Sequence, residues 1–380
     1  MGEASSLFHE ITEKATTPSL IGEALYWSGR NAESGKDRDK SRCYYKKLYE
    51  TLPDSTFAAE AYFRMYDYFD YLQGEREAIK HLEIFSERYP DSPFLLNALY
   101  IMGLDAKRDR KTSSGKWIGK KDRIKAIEHF GRIENLYKEF LARNTFSEEE
   151  KKHYSLLRFH AVLERASANL NLGTDASGAK RQIYLKYAEE VFTSFLSEVT
   201  SELSKEDSRT LEIEGRLGLA RTFLASDRDK DAEEVLVKIV TDREDGKNPG
   251  KYHLSRVLNL LGKIESLRKN YTKALQRFTE AEEISGENPV TTDRKLEQWI
   301  EMSDCYRELK EYDRAMTLLS KVINEDAISG LRIKAMLLRA NIYSLQERHE
   351  LAKKQLEACS LKGGEWGKKA KEQLMEMYGY

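Results

Sequence analysis

Apolar residues recur along this chain at offsets of three and four, with charged residues filling the intervals. Ala78, Leu82 and Phe85 follow that spacing, as do Ala126, Phe130 and Ile133, then Ala188, Phe192 and Phe195, then Ala274, Phe278 and Ala281. Such spacing places one apolar stripe on a helix and leaves the opposite face to water. The pattern therefore predicts a succession of amphipathic helices, each with a narrow buried face.

A second regularity sets how the helices are joined. Residues 53–61 read PDSTFAAEA and residues 90–98 read PDSPFLLNA, a near-copy at an offset of 37. A fixed period of that size marks a repeat array. Pro53 and Pro90 each close a helix, because proline has no N–H and disfavours a helical residue before it. Ser55 and Ser92 are expected to N-cap the next helix, with Pro93 suited to its first position. The repeating unit is thus a helix–turn–helix pair.

Taken in order, Leu7, Phe8 and Ile11 form a short apolar patch before the first pair, about 20–33 and 39–52. A second pair spans about 57–72 and 75–88, and a third first-helix runs from 93 to 107. Residues 108–122, RDRKTSSGKWIGKKD, break the rhythm and predict a long inserted loop before a helix at 122–141. Ser147 to Glu150 form a capping box that opens a long helix to about 171. Asn171, Gly173, Ser177 and Gly178 are expected to end it, and a helix at 180–203 follows. The division expected is 1–145 as an N-terminal sub-array, 146–205 as an irregular longer pair, and 206–380 as a C-terminal sub-array. A last helix near 366–377 carries Ala370, Leu374 and Met377 on one side, as a terminal cap would.

The C-terminal half supplies residues that resemble the tetratricopeptide repeat. Residues 258–281 carry Leu258, Leu261, Gly262, Tyr271, Ala274, Phe278 and Ala281; residues 299–319 carry Trp299, Tyr306, Tyr312, Ala315 and Leu319. Residues 336–356 and 219–236 repeat the theme with Ala340, Tyr343, Ala352 and Leu356, and with Ala220, Phe223, Ala232 and Leu236. The resemblance covers about 20–360 and implies an all-α solenoid of about eight helix pairs with a C-terminal capping helix. It also implies a concave groove lined by the first helix of each pair.

Carried over by position, that groove holds Tyr26, Arg30, Phe63, Asp67, Tyr100 and Leu104 in the N-terminal half. In the C-terminal half it holds Leu217, Arg221, Asn259, Lys263, Ile300, Asp304, Leu337 and Asn341. Aromatic and arginine side chains favour binding hot spots; the alternative for Tyr26, Phe63 and Tyr100 is padding between helix pairs. A clamp for a C-terminal carboxylate is not matched, because Glu301 and Leu338 stand where its polar and basic partners belong. The N-terminal third, about 40–142, resembles the lipoprotein of the outer-membrane β-barrel assembly machinery (BamD-like), whose third unit carries an insertion at this place. That resemblance implies a periplasmic or membrane-associated location in preference to the cytoplasm.

Composition narrows the function classes. Sixty-three Lys and Arg against sixty-four Asp and Glu give a net charge of −1, so there is no global basic field for nucleic acid. No apolar run is long enough to span a bilayer. Cys43, Cys305 and Cys359 are too few and too scattered for a disulfide framework. No HExxH pair, nucleophile elbow or dinucleotide fingerprint occurs, and the segments around Gly115–Lys120 and Gly363–Lys368 lack the spacing of a phosphate loop. No catalytic residue, metal or cofactor is expected. The inserted loop concentrates basic residues around an aromatic, so Lys116, Trp117, Lys120 and Lys121 are candidate contacts to anionic headgroups.

The function expected is a non-enzymatic scaffold or adaptor that binds protein partners in its groove, within an envelope or secretion-related assembly. The alternatives are a cytoplasmic chaperone or regulator of a protein client, and an accessory polysaccharide- or peptidoglycan-binding module.

Overall fold

A computed structural model describes residues 7–379 other than 9, 13, 109, 112–116, 120, 144–145, 242–249, 286–291, 326–328 and 363; at 68, 71–73, 110–111, 117–119, 292 and 329 it describes the backbone alone. The chain forms two compact units, Met1–Leu203 and Ser204–Tyr380.

The first unit holds four helix pairs: α1 (Pro18–Ser34) with α2 (Arg38–Thr51), α3 (Ala58–Gln73) with α4 (Glu75–Arg88), α5 (Phe94–Ala106) with α6 (Arg123–Arg143), and α7 (Glu148–Asp175) with α8 (Gly178–Glu202). The second holds α9 (Lys205–Ala225) with α10 (Asp229–Thr241), α11 (Gly250–Leu267) with α12 (Tyr271–Ser285), α13 (Thr292–Glu308) with α14 (Tyr312–Asn324), and α15 (Ser329–Leu345) with α16 (His349–Ser360), followed by α17 (Glu365–Tyr378). The fold is an all-α solenoid of helical repeats.

One packing rule recurs in every pair. At the crossing, the second helix presents a small residue, then a large one four positions on, then another apolar one three further. The small position is Ser41, Ala78, Ala126, Ala188, Ala232, Ala274, Ala315 and Ala352, all buried. The large position is Tyr45, Leu82, Phe130, Phe192, Leu236, Phe278, Leu319 and Leu356, all buried as well. Alanine lets the two helix axes approach, and the large side chain fills the gap beside it. The facing helix must yield the room. A Cβ on Gly103 would stand 2.6 Å from Phe130, and one on Gly262 would stand 2.8 Å from Phe278.

Turn chemistry within pairs is equally regular. Lys36, Asp227, Lys269, Lys310 and Glu347 occupy the link between first and second helix with φ between 58° and 64°. The left-handed conformation there closes the first helix tightly, at a cost of about 1–2 kcal/mol for a residue with a side chain.

Several local expectations change. The N-cap positions are Phe57 and Pro93, neither with a side-chain bond, rather than Ser55 and Ser92, although Ser55 Oγ accepts from the Phe57 N–H at 3.3 Å. The Ser55 and Ser92 carbonyls instead accept from Ala58 and Leu95 at 2.9 Å in a tight turn, which delays the helix start. The Ser147–Glu150 capping box is present with both bonds made. Gly173 lies inside α7 rather than at its end, because Leu185 packs where its Cβ would stand. Part of the inserted loop is a short antiparallel hairpin, Arg110–Lys111 with Trp117–Gly119. In α17, Ala370 and Leu374 are buried, but Met377 is exposed, and Trp366 and Tyr378 pack in its place.

Among the described residues, no helix is long and apolar enough to cross a membrane. Cys305 and Cys359 are buried free thiols and Cys43 is exposed; burial pushes Cys305 up to about 11.

Candidate functional site

In the second unit, α9 packs on α11, α11 on α13, and α13 on α15, so the four first helices present one continuous face. A cleft of about 460 Å³ opens along it, lined by Leu217, Arg221, Arg256, Asn259, Leu260, Lys263, Arg294, Glu297, Glu301, Lys334 and Trp366, among others. Leu217 from α9 is buried in the floor. Ser255 and Gln298 anchor the second layer: Ser255 Oγ donates to the Ala281 carbonyl at 2.9 Å, and Gln298 Nε2 to the Phe278 carbonyl at 2.7 Å. Polar residues at the base therefore tie first helices to second ones and hold the cleft's shape.

The cleft's charges fall into two groups. Glu214 holds Arg256 with both carboxylate oxygens, one contact at 2.9 Å, and lies 3.3 Å from His253 Nε2. Burial alone raises the Glu214 carboxyl, but the hydrogen bonds from His253 and Arg256 outweigh it and hold the group at about 2. Lys334 sits 3.7 Å from Glu301 and over the Trp366 ring, which Lys369 also approaches. These cations have partners.

Arg221, Lys263 and Arg294 form the second group. None has a carboxylate at ion-pair distance among the described residues, although Arg294 donates to the Tyr252 hydroxyl at 2.6 Å. Lost hydration in this crowded stretch, with Arg256 and Arg294 nearby, pushes Arg221 down, while Glu297 and Glu214 favour its charge. Between them, Asn259 carries a side-chain oxygen that is buried with no hydrogen-bond partner. A buried acceptor left unpaired costs about 1–3 kcal/mol.

Residues 301–327 match the family model of the tetratricopeptide repeat. That stretch is similar to a tetratricopeptide repeat. No curated protein matches the sequence. Among solved structures, the chain is similar to a tetratricopeptide repeat protein from Parabacteroides merdae, at 18% identity and a TM-score of 0.52 over 83% of this chain and 97% of that one. It is also similar to NprR in complex with its cognate peptide NprX, at 16% identity and a TM-score of 0.52 over 94% and 93% of the two chains. Likeness at this identity concerns the fold.

The tetratricopeptide register sorts the expected groove residues. Arg221, Asn259 and Lys263 meet in the cleft. Asp304 lies outside its lining, paired with Arg307 at 2.8 Å, and Asn341 is half-buried elsewhere on α15. Ile300 and Leu337, expected in the groove, are buried in core clusters instead, because α13 and α15 turn those faces inward. Arg256, Arg294 and Trp366 were missed. Arg256 was legible as the residue one turn before Asn259 on the same face. Trp366 was not, since only the fold brings α17 back onto α15.

In the first unit, the expected aromatics are packed within the helix layer. Tyr26 is buried and stacks on Phe57 with ring centroids 4.7 Å apart. Phe63 meets Phe85 and Phe94 at 5.7 and 5.6 Å, and Tyr100 meets Phe130 at 5.9 Å, where burial raises its phenol. Arg30 bonds Tyr26 and pairs with Glu33 and Glu60, which Arg64 also holds. Asp67 lines a separate cleft of about 690 Å³ beside Arg64 and Asp70, where burial raises its carboxyl. Lys121 is exposed, while Lys116 and Lys120 and the Trp117 side chain lie outside the described residues. His81, buried, bonds the Tyr62 carbonyl through Nε2 at 2.6 Å; burial lowers its pKa, so it is a neutral structural donor.

Proposed function

We propose that the chain is a non-enzymatic protein-interaction scaffold, and that the first-helix face of its second unit holds an extended segment of a partner. The observation that carries this reading is the cleft along the first helices, where Arg221, Lys263 and Arg294 have no carboxylate at ion-pair distance among the described residues. An extended peptide supplies backbone N–H groups at regular spacing, which suits a cleft formed by successive helices.

A photo-crosslinking residue placed at Leu260, in the cleft, and separately at Val237, exposed on a second helix, tests the reading in the native cell. Protein adducts from position 260 and none from 237 are expected. Equal adducts at both positions, or none at 260, would overturn the assignment.

The setting we propose is an envelope or secretion-related assembly. The resemblance of residues 40–142 to the β-barrel assembly lipoprotein supports it, as does the basic hairpin insertion at that family's position. Fractionation of the source cell tests this, with recovery in the envelope fraction expected and recovery only among soluble proteins opposed to it.

A further inference from the structure

We infer that the second-unit cleft selects an acidic peptide, and that Arg221, Lys263 and Arg294 read carboxylate side chains along an extended strand lying across three successive first helices. The inference rests on the cleft being a partner site, and adds which partner chemistry it accepts.

Placement carries the argument. Arg221 comes from α9, Lys263 from α11 and Arg294 from the start of α13, so three of the first helices each contribute one cation with no carboxylate at ion-pair distance among the described residues. Arg221 and Lys263 stand on neighbouring helices about 8–10 Å apart, whereas Arg294 bonds Tyr252, about 16 Å along α11 from Lys263, so a path through all three takes about eight extended residues. A peptide with carboxylates at intervals along that length meets all three cations at once. Each added charge contact alone is weak, but three along one strand select strongly against a neutral sequence.

One feature favours a peptide over another polyanion. Glu297 and Glu301 line the same cleft, and closely spaced phosphates running its length would be repelled by them. Isolated carboxylates can avoid those positions. Arg256 takes no part, because Glu214 already holds it on both sides.

The test is fluorescence anisotropy on the full chain with a labelled peptide of about ten residues that alternates Glu and Ser, long enough to span the cleft. Its partners are the same peptide with Gln for Glu, and a single-stranded thymidine oligonucleotide of similar charge. The Glu peptide is expected to bind at least about tenfold more tightly than the Gln peptide at low salt, with the advantage shrinking as salt rises. The triple variant Arg221→Gln, Lys263→Gln, Arg294→Gln, with an unchanged melting midpoint, should erase that difference.

Equal binding of the Glu and Gln peptides would overturn the acidic preference and leave the scaffold reading standing. Equal or tighter binding of the oligonucleotide, lost in the same triple variant, would overturn the peptide assignment. Failure of every probe, with crosslinks from Leu260 still formed in cells, would sink the acidic-strand inference alone. Failure of the probes together with absence of those crosslinks would remove the site itself.

Discussion

The two units share one packing rule and differ on the face that rule leaves open. In the first unit, first-helix positions carry Tyr26, Phe63 and Tyr100, all absorbed into ring contacts, and Arg30 and Arg64, neutralised by Glu33 and Glu60. In the second unit, the same helices carry Arg221 and Lys263, which have no carboxylate at ion-pair distance among the described residues, and Asn259, whose side-chain oxygen has no hydrogen-bond partner among them. The repeat demands a small residue and a large one at each helix crossing. It demands nothing of the first-helix face, so one unit can put aromatic packing there and the other unsatisfied polar groups. An aromatic residue at a groove position is therefore ambiguous until its neighbours are known.

The shared rule can be broken at its most buried point. Phe278→Ala should destabilise the second unit by about 3–5 kcal/mol, read as a lower urea midpoint, because Gly262 opposite it has no side chain to fill the void. A loss under about 1 kcal/mol would mean that the pair collapses without that ring.

The contrast between the faces is tested next. Tyr100→Ala should cost about 2–3 kcal/mol, since its ring is half-buried against Phe130. Arg221→Gln should change stability by no more than about 0.5 kcal/mol, because Arg221 has no ion-pair partner among the described residues. Equal costs would erase the distinction between a packing face and a binding face.

Acid should affect the second unit through Glu214. Its carboxyl is held at about 2 in the folded state, against an ordinary value of 4.5. A depressed carboxylate contributes stability above its unfolded value, and that contribution fades as pH falls from about 4.5 towards 2. Glu214→Gln should flatten this part of the stability–pH curve and lower stability at neutral pH. An unchanged acid limb would show that the Glu214–Arg256–His253 cluster does not govern it.

The smallest effect lies in the turns. Lys310→Gly relieves a left-handed residue with a side chain, and should stabilise by up to about 0.5–1 kcal/mol. Destabilisation would mean that the glycine's extra unfolded-state freedom outweighs the relieved strain.

Much of this was legible beforehand. The offset-37 near-copies and the Ala274–Phe278–Ala281 spacing are local signals, because a helix crossing needs particular residue sizes at a fixed register. The Ser147–Glu150 capping box was legible for the same reason, as its partners lie three residues apart. Less local features were not. Ser55 and Ser92 had the chemistry of caps, but the turn around them set the helix start later. Ile300 and Leu337 occupied groove positions by count, yet the rotation of α13 and α15 buried them.

Sequence by itself determined the helix pairs, their crossings and the charged outer faces, since each depends on residues within one repeat. Tertiary structure alone decided which groove residues keep a partner. Arg256 meets Glu214 across 42 residues of chain, and Trp366 reaches Lys334 only because α17 folds back onto α15. Whether a charge is paired depends on side chains brought from other helices, and no periodicity along one helix encodes that.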